Sequence, residues 1–81
     1  MGIISEQISG TTINVDVKSS NLKSASYNTE SKILTVTFNN SSIYEYYEVP
    51  WAVFAKFRMS ESQGKFFNTN ISRSYKYKKI K

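Results

Sequence analysis

The sequence contains no cysteine and no histidine. Disulfides are therefore excluded, as are metal sites built on thiolate or imidazole. What remains for acid–base chemistry is Asp16 and the glutamates, which stand isolated in the sequence. Glu45 and Glu48 are close in sequence but fall on opposite faces of a strand, so they do not form a catalytic pair. Long hydrophobic runs are missing as well. The apolar stretch around Trp51 is interrupted by Lys56 and Arg58, far short of the roughly 20 residues that cross a bilayer. The first residues, Met1-Gly2-Ile3-Ile4-Ser5-Glu6, lack the basic and apolar regions of an export signal. They match a myristoylation signal only in part, because that signal wants Ser or Thr at position 6. These absences point to a cytoplasmic protein that is not an enzyme, needs no cofactor and enters no membrane.

Acid is scarce in one half of the chain. Residues 49–81 carry eight cations against Glu61 alone, a local net of +7, whereas residues 1–48 carry a local net of −2. From Lys65 to Lys81 there are six cations and no acid, and Phe66, Phe67, Tyr75 and Tyr77 are threaded among them. Cations interleaved with flat rings suit a surface that holds phosphate and stacks on a base. A field of that sign also speeds encounter with any polyanion.

At 81 residues the chain is one domain. A domain so short buries only about 60–65% of its unfolded surface. Trp51, five Phe and six Tyr must supply the core. Homo-oligomerisation is a common supplement to so small a core and is expected here.

Ile13, Val15 and Val17 alternate with polar residues and predict a strand with one buried face, read as an edge strand of an N-terminal extension over residues 1–16. Leu22–Tyr27 is a second strand candidate. Ile33–Phe38 and Ile43–Val49 predict a hairpin around Asn39-Asn40-Ser41, with the last loop residue in the left-handed region. That register sets Val36 opposite Tyr44 and Leu34 opposite Tyr46. It puts Leu34, Val36, Phe38, Tyr44 and Tyr46 on the buried face. Pro50 suits the first turn of a helix running to Met59, with Trp51, Phe54, Phe57 and Arg58 at helical spacing. Ser60 or Ser62 caps a second short helix that carries Gly64, Phe66, Phe67 and Ile71. Tyr75–Ile80 is a last strand or an ordered tail. The fold class is α+β: a small antiparallel meander of three to five strands followed by two short helices packed on one face.

Several motifs in order, Val17-Lys18-Ser19-Ser20-Asn21-Leu22, Tyr27, Leu34-x-Val36-x-Phe38, Tyr44-x-Tyr46-x-x-Val49-Pro50, Ser62-x-Gly64-x-Phe66-Phe67-Asn68-x-x-Ile71 and Tyr75, resemble the KTSC domain. That small domain takes its name from the C-terminus of some lysyl-tRNA synthetases and also occurs alone. The resemblance covers residues 17–77. It implies a stand-alone KTSC-like domain over residues 17–81 and an association with RNA, and it carries over no catalytic residue. The chain departs from the family pattern at Ser41, where Gly is usual, at Ser60, where a small apolar residue is usual, and at Ser72, where a basic residue is frequent.

The candidate ligand-binding residues are Ser19, Ser20, Asn21, Tyr47, Lys65, Asn68, Arg73, Tyr75 and Tyr77. Ser19-Ser20-Asn21 offers hydroxyls and an amide to a phosphate, or else closes a turn on itself. Ser62-x-Gly64-Lys65 offers helix N–H groups, a bare backbone and a charge, or else Ser62 is a plain cap. Arg73 is the best single candidate for a bidentate phosphate contact. Tyr44 and Tyr46 face the core by the hairpin register, which leaves Tyr47 as the exposed ring. The expected function is a non-catalytic module for a phosphate-bearing nucleotide ligand. The ligand is RNA along the basic surface, or a small nucleotide signal enclosed by an oligomer, as in a phage anti-defence sponge. The alternative is a protein-interaction adaptor using the Ile13–Val17 edge or the apolar residues Ile3, Ile4 and Ile8.

Overall fold

Ile13, Val15 and Val17 do point into the core, but their strand is not an edge. In the computed structural model, which describes residues 2–81 and side chains from Glu6 onward, a preceding strand lies against it. Strand β1 (Gly2–Ser9) pairs with β2 (Thr12–Lys18) through the tight turn at Gly10-Thr11. Gly10 takes a φ of 61°, the conformation for which glycine is the natural choice. β3 (Leu22–Asn28), β4 (Ile33–Phe38) and β5 (Ile43–Tyr46) continue the antiparallel meander. Helix α1 (Trp51–Met59), helix α2 (Gln63–Phe66) and a π-helical turn (Phe67–Ile71) follow. The chain then returns as β6 (Tyr77–Lys79) on the free side of β5.

Among the described residues the sheet thus has six strands, in the order of the sequence. The edge role expected for Ile13–Val17 belongs instead to β1, so no partner can add at β2. Of the apolar N-terminal residues, the side chains of Ile3 and Ile4 lie outside those described, and Ile8 is 66% exposed. The hairpin register is as the alternation requires: Leu34 faces Tyr46, Val36 faces Tyr44, and the Phe38 amide donates to the Ser42 carbonyl. Ser41 takes φ 73° at the end of the loop. β5 stops earlier than the pattern predicts, because Glu48 turns the backbone to φ 55° and sends Val49 inward. The buried Tyr27 hydroxyl donates to the Val49 carbonyl at 2.6 Å and holds that turn.

One face of the sheet carries the core. Val15, Tyr27, Leu34, Val36 and Tyr46 pack under Phe54, Phe57, Phe67 and Ile71. Tyr27 stacks on Phe54 with ring centroids 4.7 Å apart. Trp51 begins α1 at the rim and stays 45% exposed, with the Arg58 guanidinium over its ring. Buried Gln63 joins the helices: its amide donates to the Ser60 carbonyl at 2.7 Å and to the Phe57 and Arg58 carbonyls at 3.4 Å. The Phe57 carbonyl also accepts the Ser60 amide at the end of α1, and Gln63 adds a donor to this last turn. Among the described residues no helix is long and apolar enough to cross a membrane.

Candidate functional site

The site grows from the turn between β2 and β3. Ser19 donates to Asn21 Oδ1 at 3.0 Å and accepts from the Asn21 amide at 3.4 Å. Such local closure is what Ser and Asn do in turns. The β4–β5 loop clamps this turn from one side: Asn39 Nδ2 donates to the Ser19 carbonyl and the Asn39 amide to the Asn21 carbonyl. From the other side α2 presses on it at Gly64. A Cβ built on Gly64 would lie 2.6 Å from Ser19 Oγ and 2.7 Å from Asn21 Oδ1. Only a residue without a side chain fits there.

Of the two readings of Ser62-x-Gly64-Lys65, the packing favours the plain cap: where a Cβ of Gly64 would stand, the chain's own turn already lies. The cap of α2 is filled too, because Ser62 Oγ accepts from the Lys65 amide. The groups left to meet a ligand are therefore side chains. Ser20, Lys65, Asn68 and Thr69 are exposed, and they line a cleft of about 450 Å³ together with Ser19, Asn21, Ser62 and Gly64. The π-helical turn helps to present them. It buries Phe67 and Ile71 while leaving Asn68, Thr69 and Asn70 outside. Single π turns of this kind recur at functional sites.

Five of the nine candidates, Ser19, Ser20, Asn21, Lys65 and Asn68, meet in this cleft. The other four do not line it. Tyr47 is half-buried and donates to Glu45 Oε1 at 3.0 Å. Burial pushes its phenol pKa up, with the Glu45 hydrogen bond adding to the shift. Arg73 is exposed on the turn after the π-helical segment, and Tyr75 is half-buried against the core. Tyr77 lies on β6, its ring 5.6 Å from Tyr46 and 5.8 Å from Tyr44. Tyr46 itself is buried, edge-on to Phe67, and Tyr44 is half-buried against Phe38, so neither forms an open platform. Burial first, then the neighbouring Tyr77 and Tyr44, push the Tyr46 pKa up to about 12.

The end of the basic segment pairs as β6 (Tyr77–Lys79). Lys78 lies across from Glu45 and Lys79 across from Tyr44. The Lys81 carbonyl accepts from the Ile43 amide. Lys79 to Lys81 therefore end beside the Asn39–Ser42 loop, at the same end of the sheet as the Ser19–Asn21 turn. Thr69 and Asn39 are the residues that sequence reasoning missed. Thr69 stands four residues after Lys65 on the same helical face, a spacing that would have found it. Asn39 carries no local signal, since its contact with Ser19 spans 20 residues of chain.

Comparison with known proteins agrees with this architecture. The family model for the KTSC domain matches residues 18–75. The chain is 32% identical to a lysine–tRNA ligase of Nostoc punctiforme over 59 residues, which is 73% of this chain and 10% of the ligase. A lysine–tRNA ligase of Trichormus variabilis matches over the same share at 30% identity. The chain thus spans about one tenth of the length of these ligases. A protein of Tsukamurella paurometabola is 40% identical over 52 residues, 64% of this chain and 78% of that one. The crystal structure of a KTSC domain protein from Yersinia pestis superimposes with a TM-score of 0.81 at 27% identity, covering 86% of this chain and 99% of that one. With a match over most of its length and with the same fold, the chain belongs to the KTSC domain family.

Proposed function

We propose that this protein is a non-catalytic module that binds a phosphate-bearing nucleotide ligand, and that the ligand is single-stranded RNA. The observation that carries this reading is the convergence of the Ser19–Asn21 turn with Lys65 and Asn68 in one cleft. A cation, two amides and several hydroxyls without a neighbouring apolar lid suit a phosphodiester better than an apolar ligand. Lys79, on the face of Tyr44, and Lys81 lie toward the same end of the sheet, which favours a strand running past the cleft over an enclosed mononucleotide. The similar lysine–tRNA ligases act, by name, on an RNA, which is in keeping with this choice.

Fluorescence anisotropy with a labelled short RNA tests the reading. Binding through several phosphates should fall steeply between about 50 and 200 mM salt. Lys65→Ala should weaken binding for every sequence and reduce the salt slope by about 1. Unchanged affinity in both Lys65→Ala and Asn68→Ala would refute the cleft as the site.

A second reading concerns self-association. The two edges of the sheet differ. β6 is guarded by Lys76, Lys78 and Lys79, a device that blocks edge pairing. β1 has a single charge, Glu6, and that carboxylate is held by Arg58 at 3.2 Å. With Ile8 exposed beside it, β1 suits antiparallel pairing with the β1 of a second copy. Sedimentation equilibrium should show a dimer that Ile8→Lys dissociates. A monomer at every concentration would end this reading.

A further inference from the structure

Lys65 and Thr69 do not bound the cleft alone. They form a ridge, and beyond it lies a second depression of about 420 Å³, which also shares Ser62. Its volume lies within the roughly 300–1,000 Å³ of small-molecule sites. Its character differs from that of the cleft. Phe66, half-buried and backed by Phe57 at 6.3 Å between centroids, gives it an aromatic wall. Glu61 stands at its rim, the sole acid among residues 49–81. Among the described residues Glu61 has no hydrogen bond or ion pair.

A carboxylate at this point repels phosphate and so fixes the polarity of a bound nucleotide. The phosphate goes to the Lys65–Asn68 side, and what meets Glu61 must donate hydrogen bonds. Resting on the nucleotide reading above, we propose that this depression takes a guanine base, stacked on Phe66, with Glu61 as its acceptor. Guanine presents two donors side by side, N1–H and the N2 amino group, and an ionised carboxylate offers two acceptor oxygens to match. Adenine and cytosine present one amino group beside a ring acceptor, and uracil one N–H between two carbonyls. Each of these sets a lone pair against the carboxylate. Because the depression is open to water, the discrimination lies at the low end of a bidentate contact, about five- to tenfold.

The test is a titration of the full chain with the four nucleoside 5′-monophosphates and with four homopolymeric RNA tetramers, followed by backbone amide shifts. The expected result is a five- to tenfold preference for guanine, with shifts at Glu61, Phe66 and Asn70. Glu61→Gln should bring guanine down to the level of the other bases, and Phe66→Leu should weaken all bases alike. Equal binding of the four bases, or a guanine preference that survives Glu61→Gln, would overturn the guanine assignment while Lys65-dependent binding kept the phosphate reading. No binding of any nucleotide would overturn both.

Discussion

Gly64→Ala is the sharpest probe of how the site is assembled. The new methyl would sit 2.6 Å from Ser19 Oγ and 2.7 Å from Asn21 Oδ1. Both distances are well inside contact, and neither oxygen is free to leave. The two side chains are bonded to each other at 3.0 Å, and Asn39 holds the backbone on either side of them. Overpacking of this kind costs about 1–3 kcal/mol. The substitution also gains about 1 kcal/mol of helix propensity, available because Gly64 lies in α2 with an ordinary negative φ. The net expectation is a loss of up to about 2 kcal/mol. For a domain of this size that lowers Tm by up to roughly 16 °C. The same substitution in a Ser19→Ala/Asn21→Ala background meets neither oxygen. There the propensity term stands alone and the substitution should stabilise by up to about 1 kcal/mol. Chemical denaturation of the four proteins completes the double-mutant cycle, with a coupling of about 1–3 kcal/mol. An equal effect of Gly64→Ala in both backgrounds would refute the close approach of turn to helix.

Tyr27→Phe should cost about 1–3 kcal/mol in urea unfolding, because the Val49 carbonyl loses its 2.6 Å donor inside the core. Ser41→Gly should raise stability by up to about 1 kcal/mol, since φ 73° strains any residue with a Cβ; a loss would show that the Ser41 side chain matters in its own right. Tyr46, with its pKa pushed up to about 12, and Tyr27, also raised by burial, set an alkaline limit. Unfolded tyrosine releases its proton near pH 10, so the stabilisation is whole below that pH and is lost as pH rises toward 12. Thermal melts should drop across that window, and Tyr46→Phe should soften the drop.

The register of the central hairpin was legible in the sequence, though not the early end of β5 at Tyr46. Two runs of alternating β-branched and aromatic residues allow only one register that buries a continuous face, and Leu34 opposite Tyr46 follows from it. Of the two edge strands, β6 was legible in part: ring and charge alternate over Tyr75–Ile80, which reads as a last strand or a tail, and the strand is Tyr77–Lys79. β1 was not legible, and it takes its place through main-chain bonds to β2. Trp51 fits the helical spacing of Phe54 and Phe57 yet stays at the rim, because the helix starts at the edge of the face it covers. In the site, the residue types near Ser19 and Lys65 suggested polar chemistry. Their meeting is a contact between segments some 45 residues apart, and no local pattern encodes it. Gly64 was visible as a glycine with a purpose. Its purpose, to admit the chain's own turn, required the packing.

The position of β6 has a kinetic consequence. Strands β2 to β5 each pair with the strand before them across a short turn. β6 must close across the 30 residues from Tyr47 to Lys76, and it is only three residues long. Its pairing should be the last to form and the least costly to undo. Amide exchange should therefore be fastest in β6 and slowest in β3 and β4. A polyanion held by Lys79 and Lys81 would bind only while that strand is docked. It would then slow exchange at Tyr77–Lys79 before it slowed exchange anywhere else.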